Sequence, residues 1–211
     1  MNVTLESLTT NEAAIAAGVK VADINRAIDR KILPSKLYST VTTRTVRKDA
    51  CVWIAFYFET AYWLTSAARL KAIRDGFDRY KSWQELRNCR VEESRTIEVS
   101  LSRIWEDVDR RLKQLKEAQE MVIEDPEILS GIPVIKGTRI PVYDVASLVN
   151  SGTPASELFE IYPRLKKEQF VLASLYAQAN PQRGRPKRRT LPKATEVSVS
   201  IFRLRDASIG G

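Results

Sequence analysis

Residues 125–181 read DPEILSGIPVIKGTRIPVYDVASLVNSGTPASELFEIYPRLKKEQFVLASLYAQANP, and this stretch decides the fold. At its centre two short β-prone runs, Pro133–Ile135 and Arg139–Val142, flank Lys136-Gly137. Glycine supplies the positive φ of a tight hairpin turn. Pro133 and Pro141 withhold backbone donors, so the ribbon is expected at a sheet edge. Three helix-length segments follow. Tyr143–Ser151 stops at Gly152. Thr153 is expected to cap the second, with Pro154 at its first position, and that helix ends before Pro163. The third runs from Lys166 to Ala179 and stops at Asn180-Pro181. A hairpin and three short helices bury too little surface to stand alone. The unit is therefore expected to pack on a second copy of itself or on the rest of the chain.

The string GIPVIKGTRIPVYDVASLVNSG, followed by ELFEIYP and the alanine-bearing last helix, resembles the C-terminal domain of a group of VapB-type antitoxins. The resemblance covers about a quarter of the chain. The order of segments is similar too: a helical N-terminal region, this domain, then GRP and a basic tail. Ser130 stands where the family often has a second glycine, and Lys166 where it often has a Ser or Thr cap. The family's members are partners of PIN-like ribonuclease toxins in bacterial and archaeal toxin–antitoxin operons. The resemblance implies an antitoxin that neutralises such a toxin.

The 211 residues carry 34 Lys and Arg against 26 Asp and Glu, a net +8. The excess sits at the end. From Gln182 to Gly211 there are eight basic residues and two acidic ones, which is +6 of the +8. The run Arg183-Gly-Arg-Pro-Lys-Arg-Arg has no large apolar residue and is expected to be solvated alone. TEVSVSIFRL at 195–204 then alternates, with Val197, Val199 and Ile201 on one side. Phe202, Arg203, Leu204 and Arg205 follow. A strand with no partner in its own chain, tipped with arginines, suits addition to another protein's sheet. The alternative is a basic tail that touches nucleic acid electrostatically. PIN-like ribonucleases, as the resemblance implies, hold a metal ion with clustered carboxylates. Arg203 or Arg205 entering such a site would block metal or RNA, since guanidinium bridges carboxylates bidentately.

At the other end Thr9-Thr10-Asn11-Glu12 is a capping box. A small-residue helix follows, Ala13–Ala17, then Gly18. A second helical pattern runs from Val21 to Lys31 with Ile24, Ala27 and Ile28 on one face. Two short helices across a glycine turn make a helix-turn-helix. The pattern is similar to small excisionase-like and MerR-like DNA-binding modules. Asn25, Arg26, Arg30 and Lys31 face outward on the second helix, within reach of bases or phosphates. Asp23 and Asp29 on the same helix would repel DNA, and an ordinary helical hairpin fits equally. KLYSTVTTRTV at 36–46 reads as a strand or hairpin, a wing offering Lys36 and Arg44 or a plain edge ribbon. Operator half-sites would require a dimer.

The middle is less patterned. CVWIAFYF, residues 51–58, suits helix or strand; helix is chosen because Asp49 can cap it and because the resembling antitoxins are helical here. The aromatics Trp53, Phe56, Tyr57, Tyr62 and Trp63 are expected in the core. Thr65 starts a further helix that Gly76 should close. A helical turn is expected at Trp83–Leu86. Ile97, Val99 and Leu101 alternate as a strand. Ser102 opens a helix carrying Ile104, Val108, Leu112 and Leu115 at helical spacing. Met121–Ile123 is a short strand, expected to share a sheet with 97–101.

No histidine occurs, which excludes Ser-His-Asp, Cys-His and His-metal chemistry in this chain. Cys51 and Cys89 have no metal spacing, and no carboxylates have acid–base spacing. No enzyme activity, cofactor or metal is expected. Few cysteines, no signal peptide and no long apolar run lead to an expected cytoplasmic protein without a membrane span. The expected fold class is α+β, mainly α. It divides into a helix-turn-helix-like module with a possible β wing (1–48), a helical core region with short strands (49–124), the β-hairpin and trihelical domain (125–181) and an extended basic toxin-binding tail (182–211). The expected function is the antitoxin of a type II system, neutralising a PIN-like ribonuclease toxin and binding operator DNA, as a homodimer or a toxin–antitoxin hetero-oligomer. The alternative is a free-standing helix-turn-helix regulator with a nucleic-acid-binding tail.

Overall fold

In a computed structural model, which describes residues 7–92 and 98–182, the first helix begins at the capping box. The Thr9 amide donates to Glu12 Oε2 at 2.8 Å and the Glu12 amide to Thr9 Oγ1 at 3.3 Å. Strand β1 (Ser7–Thr9) leads into α1 (Thr10–Ala17), and Gly18 ends that helix in the left-handed region at φ 69°. Helix α2 (Val21–Asp29) follows at once. Strands β2 (Tyr38–Ser39) and β3 (Thr45–Arg47) then form an antiparallel hairpin. β3 lies between β2 and β1, with Val46 opposite both Leu8 and Tyr38. Val46 and Leu8 are buried there, which ties the hairpin to the helix pair.

Helix α3 (Lys48–Glu59) carries the ambiguous apolar run, and eight successive residues, Asp49 to Phe56, are buried. A helix buried on every side needs no amphipathic pattern. Its N-cap is Arg47, not Asp49. Asp49 sits in the first turn, fully buried, paired with Arg47 at 2.6 Å and accepting from the Tyr80 hydroxyl at 3.0 Å. The aromatic expectation holds for Trp53 and Phe56, but Tyr62 is 98% and Trp63 54% exposed. They follow the end of α3, where the chain has left the interior.

Helix α4 (Ser66–Phe77) is capped by Thr65, whose hydroxyl accepts from the Ala68 amide at 3.2 Å. Gly76 does not close it; it lies within the last turn. A Cβ there would stand 2.5 Å from Trp53 Cη2 and 3.0 Å from Val91 Cγ1, so this glycine admits the indole. Helix α5 (Trp83–Arg87) and strands β4 (Arg90–Glu92) and β5 (Glu98–Ser100) precede the 20-residue α6 (Ser102–Met121). β5 pairs with β4, Val99 opposite Val91, and not with the strand at 121–123. That strand, β6 (Val122–Ile123), pairs instead with β7 (Val134–Ile135).

The expected hairpin of 133–142 is reduced to one bridge, Val134 to Pro141. The turn still closes: the Ile135 amide donates to the Ile140 carbonyl and that of Val142 to Pro133, both at 3.0 Å. Helices α7 (Val142–Asn150), α8 (Ala155–Ile161) and α9 (Lys167–Ala179) complete the fold. Pro154, not Thr153, is the N-cap of α8, and no side chain bonds there. Lys166 begins α9 through its backbone, its amide donating to Gln169 Oε1 at 2.8 Å.

The fold is α+β and mainly α. Its buried apolar residues form two clusters. One runs from Leu8 to Val108 and surrounds α3. The other runs from Ala118 to Tyr176. α6 feeds both, with Ile104, Trp105 and Val108 in the first and Ala118 in the second. The described residues up to Pro181 group as one compact unit. Among the described residues, no helix is long and apolar enough to cross a membrane.

Candidate nucleic-acid interface

Helix α1 buries Ala13, Ala14, Ala16 and Ala17. Such small residues let it pack closely against α3 and α6, leaving α2 as the outer helix. α2 buries only Ile24, Ala27 and Ile28, one face at i, i+3, i+4. Arg26, Asp29 and Arg30 are exposed and Asn25 is half-buried. Beside this face lies the β2–β3 loop, residues 40–44, exposed throughout, with Val41 at 91%. The order is strand, helix, turn, helix, hairpin, and the hairpin stands where the sequence offered a wing.

The structure joins two of the sequence-predicted residues directly. Arg44 Nη1 donates to Asn25 Oδ1 at 3.1 Å, and its Nη2 stands 2.9 Å from Asp29 Oδ1. The wing is thereby tied to the outer helix. Arg26 pairs with Asp23 at 3.1 Å, its guanidinium 5.9 Å from the centre of the Phe58 ring. Both carboxylates that would repel DNA are thus neutralised by adjacent arginines. These are exposed pairs worth about 0–1 kcal/mol, so a phosphate can compete for either arginine.

Arg30 and Lys31 lie at the end of α2, and Arg30 is its C-cap. Lys31 has φ 52°, a left-handed backbone held by the Ile32 amide donating to the Ala27 carbonyl at 2.9 Å. Neither makes an ion pair among the described residues. Lys31 and Lys36 share a cleft of about 470 Å³ with Arg74 of α4 and one carboxylate, Asp78, and Ile32, Leu70 and Phe77 line it too. Arg74 extends the basic surface by a residue that sequence reasoning missed. It is 38 positions beyond Lys36, and only the packing of α4 brings it near.

The other predicted set, Val197, Val199, Ile201, Phe202, Arg203, Leu204 and Arg205, lies outside the described residues. Within them, both cysteine thiols are buried, and burial pushes their pKa values up, so neither is a ready nucleophile. No group of three or more Cys, Asp or Glu among the described residues is placed to hold a metal ion.

Residues 122–177 match the family model described as protein of unknown function DUF433. That segment takes in β6, β7, α7, α8 and most of α9. No solved structure matches the chain. The uncharacterized protein y4eO of Sinorhizobium fredii is 40% identical over 207 residues, spanning 95% of this chain and 93% of that protein. An identity of that extent, over nearly the whole chain and not the DUF433 segment alone, shows that the chain belongs to the same family as y4eO.

Proposed function

We propose that the chain binds operator DNA through α2 and the wing, and that it acts as the antitoxin of a type II toxin–antitoxin system. The observation that supports DNA binding is the pairing of Arg44 with Asn25 and Asp29, which sets a wing beside an outer helix whose own acids are neutralised. In this reading Asn25 and Arg26 would meet base edges, and Arg30, Lys31 and Arg44 phosphates. Two half-sites require two copies. The antitoxin role rests on the sequence resemblance and on the basic segment 182–211, in which Val197 to Leu204 would add to the toxin's surface. Arg203 or Arg205 would then occupy the carboxylate cluster of a PIN-like ribonuclease.

Fluorescence anisotropy with the DNA upstream of the gene tests the first part. Replacing Arg30 and Lys31 by Ala should weaken binding at all sequences and lower the salt dependence by about one unit per lost phosphate contact. Asn25→Ala should narrow the gap between operator and random DNA. If the wild-type chain prefers neither DNA at low salt, the interface is misassigned. Coexpression with the adjacent reading frame tests the second part. A chain ending at Pro181 should fail to retain or silence the neighbouring ribonuclease. If it silences the enzyme as well as the full chain does, the tail has no such role. Operator binding without any captured ribonuclease favours the free-standing regulator.

A further inference from the structure

Arg111 stands midway along α6, where the first hydrophobic cluster gives way to the second. Its guanidinium lies flat against Gly18, and a Cβ on that glycine would stand 2.6 Å from Nη1 and 2.7 Å from Cζ. Nη1 is shut off from water and makes no hydrogen bond. No described carboxylate is within ion-pair distance of Arg111. Glu59 feels its charge: burial pushes that carboxyl's pKa up and Arg111 draws it back. That is attraction at a distance, not contact. A guanidinium with five N–H donors, the two on Nη1 buried and unused, is short of an acceptor.

The same arginine lines a cleft of about 620 Å³ between the helix-turn-helix and the DUF433 segment. Ile15 of α1, Lys20 in the turn, Gln114 of α6, and Leu175 and Gln178 of α9 line it too. The lining holds two cations and no carboxylate. Gln178 donates to Ser174 Oγ at 3.0 Å, which leaves its carbonyl oxygen for a ligand hydroxyl or amide. Ile15 and Leu175 supply an apolar wall. A few convergent polar groups on an apolar wall, in this volume, make a small-molecule site.

We propose that this cleft binds a small organic anion, a carboxylate or phosphate monoester on an apolar body, with Arg111 receiving the oxyanion. The edge of the guanidinium that water reaches, Nε with Nη2, matches either group bidentately, while Nη1 stays against Gly18; Lys20 adds a second charge to the lining. Walls from α1, the turn and α9 place such a ligand where it sets the spacing between the helix-turn-helix and the DUF433 segment. The inference goes beyond operator binding and does not depend on it, since the test uses no DNA.

The full chain is titrated with phenyl phosphate and with benzoate, and with benzyl alcohol as the uncharged counterpart, by calorimetry and thermal melting. Both anions should saturate at or below about 1 mM and raise the melting temperature, with benzyl alcohol at least about tenfold weaker. The basic segment 182–211 attracts any anion, so the variants decide. Arg111→Met should weaken both anions about tenfold or more. Leu175→Trp fills the cleft from the opposite wall and should abolish binding with helicity kept, which stands if the arginine variant fails to fold. The proposal is overturned by no saturation up to about 10 mM, by equal binding of benzyl alcohol, or by unchanged affinity in the folded variants.

Discussion

The two hydrophobic clusters are built on opposite plans. The first closes around α3, which is buried for eight successive residues and carries Trp53 and Phe56 fully out of water. The second has no such central element. α9 buries one stripe, including Phe170, Ala173 and Tyr176, and leaves Val171 57% exposed. On α8, Phe159 and Ile161 remain 39% and 45% exposed, although the Phe159 ring still meets the edge of Phe170 at 5.3 Å. The first cluster takes in the N-terminal half of α6 beside α3, whereas the second uses the rest of that helix as a wall. That wall is the C-terminal half of α6, which packs on α9 and contributes Ala118. The DUF433 match starts at residue 122, just past this helix. A recurring segment of sequence is thus not the same thing as a self-sufficient core.

The largest effect should come from cutting at that boundary. A fragment of residues 122–181 should show little helical circular dichroism, and one beginning at Ser102 should regain it. A cooperative melt from the shorter piece would break the comparison. Next comes the crowded first cluster. Gly76→Val drives a branched side chain into Trp53 and should cost about 3 kcal/mol or more, measured by urea unfolding. The open second region should respond less. Nothing lies within 4 Å of a Cβ at Gly137, so Gly137→Ala meets only its φ of 76° and should cost about 1 kcal/mol. A cost as large as that of Gly76→Val would mean the turn is packed after all. The smallest effect has the opposite sign. Ser130 holds φ 57° within a run of left-handed residues that includes Leu129 at 50° and Gly131 at 81°. Relief of that strain exceeds the added freedom of the unfolded chain, so Ser130→Gly should stabilise by about 0.5 kcal/mol. A loss of stability there would place the strain elsewhere.

Those positions also mark what sequence reading reaches. Ser130 holds a left-handed backbone that a glycine would adopt without strain, and its own side chain gives no local sign of it. The Thr9–Glu12 box, the Thr65 cap and the buried stripe of α2 were legible because each is written within four residues or one helical period. Gly76 misled because a glycine that ends a helix and one that admits a neighbouring ring look alike in one dimension. Strand pairing misled for a similar reason. β5 turns back to β4 and β6 reaches forward to β7, and strands of two or three residues carry too little pattern to choose partners. At the candidate interface the cations were readable but their local counter-charges were not. Arg44 meets Asp29 across 15 positions. Such contacts are made by packing.

The shared helix has one more consequence. Ile104, Trp105, Val108, Leu115 and Ala118 run along a single stripe of α6, so its two halves are locked in rotational phase. Each residue added to an α-helix turns everything beyond it by about 100°. One codon inserted near Arg111 would swing Ala118 away from its neighbours while leaving Val108 in place. Seven would bring the stripe back to within about 20° but push the halves apart by about 10 Å. The length of this one rod is therefore fixed as a camshaft's timing is.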